Sequence, residues 1–494
     1  MSTDGSFEQL TLRLAEITDL QKTGALLFWD QRTKMPPAGA EARAEQLATI
    51  GRLAHQKFID PEVGRLLDEL SSYGDGLDPE SFEASLIRVA RHDYEKATRV
   101  PPELTGEIRR AGALGLRAWH KARTEKDFSR LRPALERNLE LKHRYVECFE
   151  RGAETYDTLL DDYEEGMTTA EVRAVFDELK RELLPLVQAA EPVEDSLLRL
   201  ELPREGQERF ARVVLDRLGF DAESWRLDET AHPFMSTAGY ADIRLTTRWE
   251  PGLNWLFGVI HEFGHGVYER DVDPSLARSP LGTGVSLGLH ESQSRTWENL
   301  VGRSRPFWRY FYPKLQEAFP GEFGSIDEET FWRSINRVEP SLIRVDADEV
   351  SYNFHIILRF ELEQELIDNR LAVADMPEFF NAKMEEYLGL TPPDHALGVM
   401  QDMHWAGGSL GYFPTYSLGN VMSVQLFERA RADLPDLEEQ IERGDFAELR
   451  AWYRERLYWH GRKFTPKETL ERAAGSPLDA GPYVRYLKSK YAGQ

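Results

Sequence analysis

Apolar residues recur three and four positions apart along most of the chain, as in Leu10, Leu14, Ile17 and Leu20, or Val172, Val175, Phe176, Leu179, Leu183 and Leu184. That spacing places them on one face of an α-helix. Between Asp346 and Asp375 there is neither proline nor glycine, and Val350, Phe354, Ile357, Leu358, Leu362 and Leu366 predict one long amphipathic helix. Pro36-Pro37, Pro101-Pro102 and Pro392-Pro393 mark breaks between helices. Strict alternation of polar and apolar residues is best developed from Ala241 to Arg248, which predicts a strand. No internal repeat, low-complexity tract or long Gly/Ser/Pro linker divides the chain. The pattern therefore predicts a mainly α protein, one domain over residues 1–494, with a small β-sheet beside a helical body.

Composition narrows the partners. The 61 Lys and Arg stand against 85 Asp and Glu, a net charge of -24. A field of that sign disfavours nucleic acid and anionic membrane. The single Cys148 cannot form an internal disulfide, the opening residues lack the basic and apolar regions of a signal peptide, and no apolar run reaches the about 18 residues of a membrane span. A cytoplasmic protein is expected.

The candidate chemistry lies at His261-Glu262-Phe263-Gly264-His265. Two histidines four apart on a helix present both imidazoles on one face, half of a zinc site, and the apolar run Leu253 to Ile260 predicts a buried helix beneath them. Glu262, beside the first histidine, is the expected general base. A third ligand is needed. His290-Glu291-Ser292-Gln293 opens a second predicted helix after the Gly-rich stretch Leu281 to Gly288, and Glu291 is the first candidate, with Glu298 and Glu269 as alternatives. Zinc and cobalt both accept two His and a carboxylate.

His232-Pro233-Phe234, Asp242-Ile243-Arg244-Leu245-Thr246, the His261 motif, His290-Glu291-Ser292-Gln293, Ile343-Arg344-Val345-Asp346-Ala347-Asp348 and Gly398-Val399-Met400-Gln401-Asp402-Met403-His404-Trp405 resemble, in order and spacing, the motif set of the thermostable carboxypeptidase 1 family. The likeness reaches outside these motifs to Leu27-Phe28-Trp29-Asp30, Met35-Pro36-Pro37 and Tyr163-Glu164-Glu165-Gly166-Met167-Thr168. It implies a metal-dependent carboxypeptidase that releases single residues from peptide C-termini with broad tolerance. It also implies a nearly all-helical, saddle-like body with a deep groove, usually a homodimer, related to the helical gluzincins. Carried over, His261, His265 and Glu291 resemble the metal ligands and Glu262 the catalytic glutamate. Phe263 departs from the pattern, where a smaller residue such as Thr is expected, and reads as a packing substitution.

The oxyanion of a peptidase needs donors. By likeness to helical gluzincins these are His404 and Tyr416, with Tyr412 as the alternate phenol. A free α-carboxylate is best held by a guanidinium fork; Arg344 is the first candidate and Arg244 the second, although Asp242 on the same strand face can neutralise the latter. His232, extended by Pro233, is expected near the scissile end of a peptide added to the strand edge. An endopeptidase or dipeptidyl carboxypeptidase of the helical gluzincin type is the competing reading, differing in how the groove is closed.

Overall fold

Amphipathic and buried helices follow one another from α1 (Thr3–Thr33) to a C-terminal helix at Gly481–Tyr491, in a computed structural model that describes residues 3–150, 152–190 and 196–491. The proline pairs act as punctuation. α1 stops at Thr33 ahead of Pro36, Pro102 occupies the first turn of the helix Pro102–Glu125, and the helix Met376–Leu388 ends at a left-handed Gly389 before Pro392. Helix α2 (Arg132–Val146) packs against the helix Pro102–Glu125, and the groove is lined in part by α3 (Asn254–Arg270), α4 (Leu287–Arg295), α5 (Tyr352–Ile367) and α6 (Pro414–Asp433).

One three-stranded sheet interrupts the helices: β1 (Trp225–Glu229), β2 (Met235–Gly239) and β3 (Asp242–Thr247), in the order β1-β3-β2. The expected strand is present as β3, with Ile243 and Leu245 fully buried. It is the central strand, however, parallel to β1 and antiparallel to β2. β2 is an edge strand, and the backbone of its first residue, Met235, hydrogen-bonds to Glu262 of the His261 motif.

The long helix expected over Asp346 to Asp375 is shorter. The Asp348 carboxylate accepts from the Val350 and Ser351 amides at 2.8 and 3.0 Å and turns the chain, so α5 begins only at Tyr352. Asn369 at φ +57° prevents continuation past Ile367. Nor is α5 amphipathic: every residue except Glu361 and Glu365 is buried. A helix buried all round belongs to the interior, and an apolar core extending from Leu10 to Tyr491 surrounds it.

Two glycines set how closely the site helices approach. A Cβ at Gly264 would lie 2.5 Å from the Gln293 carbonyl oxygen, so α3 and α4 touch backbone to backbone. At Gly419 a Cβ would lie 2.7 Å from the Glu291 side chain, which lets α6 press α4 from behind.

Candidate metal centre and active-site groove

The ring Nε2 atoms of His261 and His265 point at one carboxylate oxygen. Glu291 Oε2 lies 3.7 Å from the former and 3.5 Å from the latter, and three donor atoms, one from each residue, fall within 4.8 Å of one another. The 3.6-residue repeat of α3 brings the histidines together, and the close α3–α4 crossing delivers Glu291 from the second turn of α4.

Each imidazole is turned by a partner on its other nitrogen. His261 Nδ1 is 2.9 Å from Glu298 Oε2. His265 Nδ1 is 2.7 Å from His290 Nδ1, and His290 Nε2 is 3.1 Å from Glu269 Oε1. With His265 donating from Nδ1 and His290 donating onward to Glu269, the Nε2 lone pair of His265 is left for the centre, the usual arrangement around a ligating histidine. Burial lowers the His265 pKa to about 4, so its ring is neutral. For His261 burial opposes protonation, yet Glu291 and Glu298 prevail and raise it. The chemistry of this N, N, O set, with both rings oriented from behind, fits a divalent metal such as zinc.

Arg295 ties the two acidic residues of this layer. Its Nε donates to Glu291 Oε1 at 2.7 Å and its Nη1 to Glu298 Oε2 at 3.1 Å. Burial works against ionisation of Glu298, but Arg295 and His261 hold its pKa down at about 2. Burial likewise opposes ionisation of Glu269, but the hydrogen bond from His290 Nε2 helps keep its pKa at about 2. The alternatives considered for the third ligand, Glu298 and Glu269, are thus placed as orienters of the histidines. His290 and Arg295 went unassigned from sequence; the i,i+4 and i,i+3 spacing of Glu291, Arg295 and Glu298 was the available signal.

Glu262 is buried on the wall of the same cavity, of 1110 Å³. Desolvation raises its pKa to about 7, and the Met235 backbone hydrogen-bonds to it. Phe263 points away from the histidines, stacked on Trp225 at 5.4 Å and edge-on to Trp297 at 5.3 Å, a packing role between sheet and helix.

Tyr412, Tyr416 and Arg344 line the same cavity. Tyr416 Oη is 3.4 Å from His404 Nε2, and His404 sits behind the two tyrosine rings instead of lining the cavity. Burial brings its pKa down to about 4. Arg344 is held by Asp402, Nε and Nη2 donating to Oδ1 at 3.1 and 2.8 Å, while Nη1 donates to Tyr352 Oη at 2.9 Å. Arg359, fully buried, takes the other Asp402 oxygen at 2.8 Å. Trp405 is core, donating to Glu363 at 2.7 Å.

Two further candidate residues, besides His404, lie outside the cavity. Arg244 forms a fork with Asp242 at 2.8 and 2.9 Å and covers the Trp29 ring. His232 is exposed beyond the rim, while its neighbours Phe234 and Met235 line the cavity from the end of β2.

Known proteins share this architecture. The chain is similar to thermostable carboxypeptidase 1 of Thermus thermophilus, 41% identical over 100% of this chain and 99% of that one, and to carboxypeptidase 1 of Bacillus subtilis, 36% identical over 97% and 96%. The crystal structure of an M32 carboxypeptidase from Deinococcus radiodurans superposes with a TM-score of 0.95 at 42% identity, covering 99% of each chain. The family model described as carboxypeptidase Taq (M32) metallopeptidase matches residues 9–491, and the chain belongs to that family of metallocarboxypeptidases.

Proposed function

We propose that the enzyme hydrolyses the C-terminal peptide bond of peptides, releasing single amino acids with broad side-chain tolerance. The observation that supports this best is the convergence of His261, His265 and Glu291 beside buried Glu262, in a groove also lined by two phenols and a guanidinium. Zinc, or cobalt, suits the three donors, and such an ion supplies Lewis acidity at the scissile carbonyl and at water. Glu262 takes the proton of the attacking water and returns it to the leaving amine. Tyr416 donates to the developing oxyanion, with His404 holding its hydroxyl from behind and Tyr412 as the second phenol in reach of substrate. A peptide lies along the β2 edge at Met235.

Arg344 is assigned the α-carboxylate. Asp402 is shared by two arginines, so the Arg344–Asp402–Arg359 trio keeps one net positive charge, and Arg344 is its member on the groove wall. The homodimer implied by the family resemblance and the cytoplasmic location expected from the sequence belong to this reading; sedimentation of the purified chain tests the former. No helix among the described residues is long and apolar enough to cross a membrane.

The decisive experiment joins metal analysis to a timed digest of a model peptide. Single-residue ladders from the C-terminus support the proposal, whereas internal fragments indicate an endopeptidase and dipeptides a dipeptidyl carboxypeptidase. Glu262→Gln should keep its metal and lose several orders of magnitude in turnover; more than about a tenth of wild-type activity with full metal content refutes the general-base role.

A further inference from the structure

The groove does not end at the metal centre. Met235, Leu287 and His290 line both the catalytic cavity and a trough that runs along the α1 face of Gln21 and Lys22. Asp93, Asp162, Val285 and Arg462 in turn line both this trough and a further cavity of 470 Å³.

The last cavity is lined by four carboxylates and four Lys or Arg, but these are unevenly paired. Asp93 is bound by Arg462 at 2.9 Å and His92 at 3.3 Å. Asp161 and Asp162 share Lys96 at 2.7 and 2.9 Å, and Asp162 also accepts from Tyr145 Oη at 2.6 Å. Glu165 lies 3.9 Å from His92 Nε2. The four carboxylates crowd Arg462, Lys96 and His92, whereas Lys142 and Arg109 have no carboxylate within 4.0 Å among the described residues. Lys142 projects from α2, is 7% exposed, and has its Nζ 5.0 Å from the centre of the Tyr145 ring. Burial pulls its pKa below the ordinary lysine value in spite of Asp162 and Glu363. A buried ammonium with no carboxylate in contact is costly, and this one borders open space. The rest of the wall is apolar, with Ala97, Val100, Ile108 and Val285. A cation at the edge of apolar surface recognises an anion that carries an apolar tail.

We propose that this cavity is a second carboxylate site, which takes a free apolar amino acid through its α-carboxylate on Lys142 and Arg109 and its side chain on Val100 and Ile108. The origin of that amino acid rests on the carboxypeptidase reading, since free amino acids are what such an enzyme releases; the site itself does not depend on it.

The test is equilibrium binding of L-leucine to the metal-loaded full chain. Wild type should bind two leucines, one of them lost when a peptide inhibitor fills the groove. Lys142→Met should bind one, with cleavage of dilute peptide within about twofold of wild type. Arg109→Ala, at an exposed position, should weaken the second leucine by about tenfold and serves where Lys142→Met fails to fold. Leucinamide, without the carboxylate, should not occupy the second site. No leucine on wild type when the groove is filled by the inhibitor, or that same leucine retained in Lys142→Met, overturns the site. Failure of the digest alone would leave the leucine outside the groove unaffected, so the two proposals fail separately.

Discussion

Replacing Asp402 by Asn removes one charge and almost no volume. The carboxylate is 9% exposed and accepts from Arg344 on one oxygen and Arg359 on the other. An amide offers one acceptor and turns an NH₂ toward the second guanidinium, so two buried cations face each other with a donor between them. Breaking a buried pair by removing one partner costs about 3–5 kcal/mol. At about 2.1 cal/mol/K per residue, 494 residues unfold with an entropy near 1 kcal/mol/K. The expected loss is therefore about 3–5 °C in Tm by calorimetry. The pH dependence follows from the direction of the shift. Burial opposes ionisation of Asp402, but Arg359 and Arg344 hold its carboxyl far below the usual range. A depressed carboxyl contributes stability above its unfolded pKa, about 3.9, and loses it only as pH falls through the folded value. The gap between wild type and Asp402→Asn should thus stay constant from pH 7 to pH 5. A Tm change below about 1 °C at pH 7, or a gap that closes by pH 5, would show that the trio is not held by this charge.

Other outcomes follow from the same contacts. Glu291→Ala should lose metal under a competing chelator, whereas Glu298→Gln and Glu269→Gln should keep full stoichiometry with affinity weakened about 10- to 100-fold; equal affinity in Glu291→Ala and wild type contradicts the ligand assignment. Arg344→Ala should slow a free-acid peptide by about 30- to 1000-fold more than its C-terminal amide, because a charged, partly desolvated partner is worth about 2–4 kcal/mol, and Arg344→Lys should recover part of the loss; equal factors for the two peptides make Arg344 structural. Phe263→Thr empties a fully buried site between Trp225 and Trp297 and should cost about 3–5 kcal/mol, seen as a Tm drop of about 3–5 °C with metal content unchanged; loss of metal instead would show that the ring positions the ligands.

Helix periodicity carried the architecture because most helices here cover a core on one face, a pattern that apolar spacing records directly. It misread α5, whose surroundings are apolar on every side, and the local Asp348 turn that shortens it follows from side-chain hydrogen bonds that no spacing rule announces. The strand was found, but its neighbours were not: that β3 is central and β2 is an edge depends on a hairpin closed by Ala241 at φ +59° and on a parallel partner contributed from upstream. Arg244 and Arg344 look equivalent in sequence as fork-bearing residues near motifs. Folding separates them, since Arg244 meets Asp242 two residues away on the sheet, while Arg344 meets a distant Asp402 that is already half-claimed by Arg359.

The three acidic candidates for the third ligand show what sequence withholds. Glu291 and Glu298 are seven residues apart, two helical turns, so both carboxylates face α3 and periodicity cannot choose between them. Distance chooses. The backbone contact at Gly264 brings the Glu291 turn of α4 level with the gap between the two histidines, where one oxygen lies at comparable distances from both Nε2 atoms. Two turns on, across the π-helical segment Thr296–Val301, the Glu298 side chain arrives behind His261 and touches Nδ1 instead. Glu269, eight residues past His261 on the same helix, lies behind His265 and reaches it only through His290. A larger residue at 264 would push α4 outward and move Glu291 away from both Nε2 atoms together. Gly264→Val should therefore lower metal affinity even though it alters no donor atom, and metal bound as tightly as in wild type would mean that the helix crossing does not set the centre.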